Sequence, residues 1–362
     1  MSAAGRGVLI MAGGTGGHIF PGLAVADSLR NRGVHVHWLG ARAGMECEKV
    51  PEAGIPLDVV DISGLRGKGA GRWLLMPWKL FRAVAQAFRV LGRHRPACAI
   101  SFGGYAAGPG GLAARLRGIP LLVHEQNRIP GMTNRVLARL ARKVLQAFPG
   151  TWDKQMQPET CGNPVRKSVV DLAAPTLRMA GRQGEIRVLV TGGSQGARAL
   201  NRLVPEALSL LPDNLVYEAR HQAGKGWKKE TAEAYRGVGV SADVTEFIDD
   251  MAGAYGWADV VICRAGALTV SELSAAGVAA VLVPFPYAVD DHQTRNAEFL
   301  VEAGAAVMMP EAGADSKSLA DVLEGLMGSR ENLLAMAEKA RGVSVPDSAD
   351  RVAHLCFEYL PA

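Results

Sequence analysis

Residues 8–18 read Val8-Leu9-Ile10-Met11-Ala12-Gly13-Gly14-Thr15-Gly16-Gly17-His18. An unbroken apolar run this short suits a strand covered on both faces. The glycines allow a tight turn, and Ile19 to Leu29 then shows helical apolar spacing closed by Gly33. The stretch predicts strand, glycine turn and helix. Further strands are expected at Val34 to Leu39, Cys98 to Phe102 and Leu121 to Val123, with helical segments between them. The plan then restarts. Arg187-Val188-Leu189-Val190-Thr191 runs into Gly192-Gly193-Ser194-Gln195-Gly196, followed by a helix from Ala197 to Leu211 and strands near Val216, at Val260 to Ile262 and at Val281 to Val283. Strands alternating with helices predict an α/β fold of two doubly wound parallel sheets, joined near Gly162-Asn163-Pro164 and facing one another across a cleft.

The 362-residue length fits two domains, and 48% hydrophobic with 21% charged residues is a globular balance. Cys47, Cys98, Cys161, Cys263 and Cys356 are widely spaced, without metal-ligand spacing, and read as reduced thiols of a cytosolic protein. The longest apolar stretch, Val278 to Val289, is broken by Pro284 and Pro286, so neither a secretion signal nor a spanning helix is expected. The net charge of +5 conceals an asymmetry. Residues 62–152 hold only Glu125 as an acid against a long series of Lys and Arg, beginning Arg66, Lys68, Arg72, Lys79, Arg82 and Arg89. Such a field favours an anionic partner: a phosphate-bearing substrate, a nucleic acid or an acidic membrane surface. From Pro77 onward, helical spacing gathers Leu80, Phe81, Val84, Phe88 and Leu91 on one arc and Lys79, Arg82, Gln86 and Arg89 on the other, with Trp78 at the border. Preceded by Trp73-Leu74-Leu75-Met76, this basic amphipathic helix suggests interfacial membrane contact.

Both glycine turns place a helix N-terminus where an anion could be received by unpaired backbone N–H groups. A P-loop is excluded, because His18 and Ala197 stand where Gly-Lys-Ser or Gly-Lys-Thr is needed. A dinucleotide fingerprint lacks its third glycine, and the second strand ends Leu39-Gly40-Ala41-Arg42 without the required acid. His18, in the first helical turn, could take a proton from a sugar hydroxyl. Polar residues crowd the end of another strand at His124-Glu125-Gln126-Asn127. In Cys263-Arg264-Ala265-Gly266-Ala267-Leu268-Thr269-Val270-Ser271-Glu272, Thr269 and Glu272 could form a capping box, or Glu272 could accept both hydroxyls of a ribose.

These segments, together with Gly103-Gly104-Tyr105 and Gly162-Asn163-Pro164-Val165-Arg166, resemble glycosyltransferase family 28 along essentially the whole chain. Within that family the resemblance is to the lipid-linked N-acetylglucosaminyltransferases of peptidoglycan synthesis. It implies the GT-B fold of two Rossmann-like domains: an acceptor and membrane-associated domain at 1–164, a UDP-N-acetylglucosamine domain at 165–345, and a C-terminal helix at 346–362 returning to the first. It further implies an inverting transfer to lipid I, the undecaprenyl-diphosphate-linked muramoyl-pentapeptide. No cofactor or metal and no nucleic acid are implied, and attachment is peripheral, on the cytoplasmic face of the bacterial inner membrane. Carried over by motif, the donor would meet Thr15, Gly16, Gly17, Asn127, Arg166, Ser194, the backbone of Ile248, Ala267, Leu268, Thr269, Val270, Ser271, Glu272 and Gln293. His18 and Glu125 would be catalytic, Tyr105 and His124 would line the acceptor side, and Trp73, Leu74, Leu75, Trp78 and Phe81 would touch the membrane. Relatives often carry two glutamines where this chain has His292-Gln293.

Overall fold

The computed structural model describes residues 7–62, 76–193 and 196–361. The chain divides into two compact units, Met1–Arg166 with Val345–Ala362, and Lys167–Ser344. In the first unit the strands are β1 (Gly7–Ala12), β2 (His35–Ala41), β3 (Leu57–Val60), β4 (Cys98–Gly103), β5 (Leu121–Glu125), β6 (Lys143–Gln146) and β7 (Glu159–Thr160). Its helices are α1 (Gly16–Asn31), α2 (Glu46–Glu52), α3 (Met76–His94), α4 (Ala107–Leu116) and α5 (Met132–Ala138). In the second unit the strands are β8 (Ile186–Thr191), β9 (Tyr217–Gln222), β10 (Asp243–Thr245), β11 (Val260–Cys263), β12 (Ala279–Leu282) and β13 (Ala306–Met308). Its helices are α6 (Lys167–Val170), α7 (Pro175–Met179), α8 (Arg198–Ser209), α9 (Lys228–Gly237), α10 (Met251–Trp257), α11 (Ala267–Ala276), α12 (His292–Glu302), α13 (Ser316–Met327) and α14 (Arg330–Gly342). A last helix, α15 (Ser348–Phe357), belongs to the first unit.

Both sheets are parallel and share one winding scheme: β3-β2-β1-β4-β5-β6-β7 in the first unit and β10-β9-β8-β11-β12-β13 in the second. The order reverses beside β1 in one sheet and beside β8 in the other. Loops leaving β1 and β4, and those leaving β8 and β11, therefore flank the two switch points, where parallel sheets leave a crevice for ligands. The central strands are buried along their whole length, which is why β1 and β11 read as unbroken apolar runs and Ser101 is the one polar side chain of β4. Helices α1 and α15 cover one face of the first sheet, with Val25, Ala26, Leu29, Val352, Ala353 and Leu355 in one core.

Helix α3 turns most of its expected apolar arc outward. It packs through Ala83, Ala87, Val90 and Leu91, while Trp78, Leu80, Phe81 and Phe88 point outward. Small alanines let the helix lie close to the sheet, and the bulky side chains occupy the opposite arc. Trp78 and Phe81 are 65% and 64% exposed, with stacked rings whose centroids are 5.8 Å apart. Trp73, Leu74 and Leu75 lie outside the described residues. Among the described residues, no helix is long and apolar enough to cross a membrane.

Candidate active site

At the first switch point, Thr15 is the N-cap of α1, and Gly16, Gly17 and His18 form its first turn, which contains no acidic residue. The turn is braced from β4: Gly104 has φ +90°, and a Cβ there would run into the backbone of Gly13. His18 lies over Gly103, since a Cβ on that residue would stand 3.3 Å from His18 Nε2. Its Nδ1 is 3.3 Å from the Gly13 carbonyl oxygen. Tyr105, just beyond, is half exposed.

The expectation that both glycine turns offer their amides to a phosphate is corrected in this unit. The Gly14 N–H donates to Glu46 Oε2 at 3.0 Å, and the Ala41 N–H donates to Oε1 at 2.9 Å. Glu46 is fully buried. The acid missing from the end of β2 thus arrives five residues on, in the first turn of α2, and folds back beneath the glycine turn. Glycine after glycine, at 13, 40 and 44, made room for it, and that spacing was the overlooked signal.

The polar end of β5 is also structural. Glu125 is buried, and its carboxylate is taken by four N–H groups: the backbone and Nδ2 of Asn127 on Oε1, both at 3.0 Å, and Gly131 N at 3.1 Å with Asn134 Nδ2 at 3.0 Å on Oε2. Asn134 in turn accepts from the Ser101 hydroxyl at 2.9 Å. A carboxylate committed in this way organises the loop leading into α5 and has no lone pair turned toward a substrate proton. His124, expected on the acceptor side, is instead completely buried: Nε2 donates to the Gly162 carbonyl at 2.9 Å and Nδ1 accepts from Gln126 at 3.1 Å. Burial pushes its pKa down to about 4, against the smaller opposing effect of the Gly162 hydrogen bond, so the ring is neutral. Asn127 and Arg166 are half-buried, and the Arg166 guanidinium stands 5.1 Å from the centre of the Phe20 ring.

In the second unit, Ser194 lies outside the described residues. Helix α11 starts at N-cap Gly266, with no side-chain cap and no acidic residue in its first turn. The Thr269–Glu272 capping box is therefore not formed: the cap position lies three residues before Thr269. Glu272 sits a turn deeper, buried, with Oε2 accepting from the Tyr255 hydroxyl at 3.2 Å. The first N–H groups of a helix have no partners within it, so Ala267, Leu268 and Thr269 present donors and a positive dipole end at the crevice beside β11. Arg264, just before, is tied to Glu311 at 2.5 Å and to the Val283 carbonyl at 3.1 Å. Gln293 holds the loop after β12, its Oε1 accepting from Phe285 N–H at 2.9 Å, and Ile248 is half-buried between β10 and α10. Among the described residues, no group of three His, Cys, Asp or Glu side chains is arranged to hold a metal ion.

Two parallel sheets of identical winding, each with a glycine turn leading to an uncapped helix at its switch point, make this a GT-B glycosyltransferase. The N-terminal domain of glycosyltransferase family 28 matches residues 8–146 and the C-terminal domain of that family matches residues 187–352. The chain belongs to glycosyltransferase family 28. It is 56% identical over 357 residues to the UDP-N-acetylglucosamine–N-acetylmuramyl-(pentapeptide) pyrophosphoryl-undecaprenol N-acetylglucosamine transferase of Xanthomonas euvesicatoria, covering 99% of this chain and 82% of that one. The protein of the same name from Xylella fastidiosa strain Temecula1 is 54% identical, with 98% and 97% covered. The crystal structure of MurG from Acinetobacter baumannii superposes with a TM-score of 0.84 at 40% identity, covering 98% of this chain and 99% of that one.

Proposed function

We propose that this enzyme transfers N-acetylglucosamine from UDP-N-acetylglucosamine to the 4-hydroxyl of the muramoyl residue of lipid I, giving lipid II. The observation that carries the reading is the 56% identity, over 99% of the chain, to a transferase named for that donor and acceptor. The site chemistry supports it. A diphosphate needs N–H donors and positive potential, which the start of α11 offers, and a ribose needs a carboxylate such as Glu272 within reach. Thr15, Gly16, Gly17, Asn127, Arg166, Ser194, Ile248 and Gln293 complete the donor contacts in this reading.

The acceptor proton goes to His18 Nε2. As the acceptor oxygen bonds to C1 of the sugar, the C1–O bond to the β-phosphate breaks, its electron pair leaves on UDP, and the configuration at C1 inverts. The developing charge on UDP is met by the amides of Ala267, Leu268 and Thr269. Glu125 acts by holding its loop, and Tyr105 flanks the acceptor. The outward face of α3, with Trp78 and Phe81 among basic residues, rests on the cytoplasmic face of the inner membrane, where the lipid acceptor lies.

The deciding experiment is incubation with UDP-N-acetylglucosamine with and without a short-chain lipid I analogue, measuring UDP. Release only when the acceptor is present is expected. Donor consumption that ignores the acceptor would indicate an epimerase instead.

A further inference from the structure

Glu46 has no place in the transfer as described, yet its position is tightly specified. Its side chain is fully buried and is met by two backbone amides rather than by a cation. Burying a carboxylate is costly unless hydrogen bonds compensate it, and a structure that needed only to fill this space would use an apolar residue. The surrounding backbone is cut to fit, because a Cβ at Gly13, Gly40 or Gly44 would collide with the carboxylate or its stem.

The amide that meets Oε2 belongs to the peptide group joining Gly13 to Gly14, and the carbonyl of that same peptide group faces His18 Nδ1 at 3.3 Å. A carbonyl oxygen only accepts, so this contact is a hydrogen bond only when Nδ1 carries the proton. In the neutral ring Nε2 is then the bare nitrogen, and Nε2 is the atom lying against Gly103. A carboxylate drawing on the N–H end of a peptide makes its C=O end a better acceptor, because hydrogen bonds in series polarise one another.

We propose that Glu46 is a positioning residue for His18, acting through the Gly13–Gly14 peptide group. It locks the imidazole in the Nδ1–H tautomer and aims a bare Nε2 at the acceptor hydroxyl. The arrangement does the work of a carboxylate bonded directly to a catalytic histidine, with one peptide group inserted between them. The proposal rests on the reading of His18 as the base that takes the acceptor proton.

The test uses protein labelled with ¹⁵N in its histidines, with the His18 signals assigned by their loss in His18→Gln. In mildly alkaline buffer, the wild-type shifts are expected to report a protonated Nδ1 and a bare Nε2. A protonated Nε2 overturns the proposal without any variant, so it remains testable even if Glu46→Gln does not fold. In Glu46→Gln, an amide NH₂ replaces one carboxylate oxygen and must face a backbone N–H. The Nδ1–H population should then fall, with kcat reduced about ten- to hundredfold and KM for UDP-N-acetylglucosamine within about twofold of wild type. A kcat loss with unchanged tautomer, or an equal loss in kcat and donor binding with a lowered Tm, shows a merely structural residue and refutes the proposal. Full turnover in His18→Gln would instead remove the base assignment, while the tautomer data would still report whether Glu46 holds the ring.

Discussion

The two switch points share a backbone scheme and differ in where their negative charge comes from. In the first unit the glycine turn after β1 already holds an anion, the Glu46 carboxylate on the Gly14 amide. In the second, α11 begins with no acid in its first turn and no side-chain cap, and the carboxylate of Glu272 is set one turn deeper. A strand-turn-helix junction supplies N–H groups in either case. Whether the chain or a ligand answers them depends on residues outside the junction, so a helix start at a switch point does not by itself imply a ligand. In the proposed reading, the first junction aims His18 and the start of α11 receives the diphosphate.

A crossed pair of variants gives the widest separation between the two turns. His18→Gln should lower turnover about 10²- to 10⁴-fold with UDP affinity intact. Glu272→Gln should weaken UDP about ten- to hundredfold, the value of one charged hydrogen bond, with a smaller change in turnover at saturation. Steady-state kinetics and calorimetry read both, and equal effects from the two variants would erase the distinction.

Acid should divide the units next. Each buries one histidine: burial holds His124 down to about 4 and His221 down to about 3, the latter wedged between Tyr235 at 2.9 Å and Asn201 at 3.0 Å. Both stay neutral when folded but protonate when unfolded at the ordinary histidine value, so the unfolded chain binds more protons below that value. Stability is therefore complete above about pH 6.5 and declines as pH falls toward 4, by on the order of 3 kcal/mol for His124 and by more for His221. Hydrogen exchange by mass spectrometry at neutral and acid pH should find the second unit opening more steeply. A steeper loss in the first would reverse the comparison.

The smallest expected effect belongs to α3. Trp78→Ser with Phe81→Ser should reduce binding to anionic vesicles about tenfold, since rings resting in the headgroup interface gain only part of the roughly 1.5–3 kcal/mol of full burial. Turnover on a soluble acceptor analogue should persist. Unchanged sedimentation with vesicles would put the membrane surface elsewhere.

The alternation of apolar runs with helical segments was enough to find the central strands of both sheets, because strands buried on both faces leave unbroken apolar runs, but not β3, β6 or β10. Short or edge strands such as β7 and β13 left no such trace. Polar site residues were harder. The position of His18 in the first turn of α1 was legible from the glycine turn before it, whereas His124 and Glu125 resembled site residues because polar groups at a strand end are unusual, and the hydrogen bonds that bury them come from Gly162, Gly131 and Asn134, beyond the reach of a local pattern. Glu46 escaped notice because its partners are backbone amides, which carry no sequence signature. On α3, helical periodicity grouped Leu91 with Leu80, Phe81 and Phe88, but only Leu91 of these is buried, because close packing favours Ala83 and Ala87 over the bulkier side chains.

The return of α15 to the first unit has a consequence for how the protein is made. The core that α15 shares with α1, closed by Arg32–Asp350 at 2.8 Å and by Ser348 on the Asn163 carbonyl at 2.9 Å, needs residues synthesised after the whole second unit. During translation the second unit has all its own residues available first, while the first must wait for the segment from Val345 onward to leave the ribosome. A premature stop before residue 345 would thus spare the second unit and leave the first with an open apolar face.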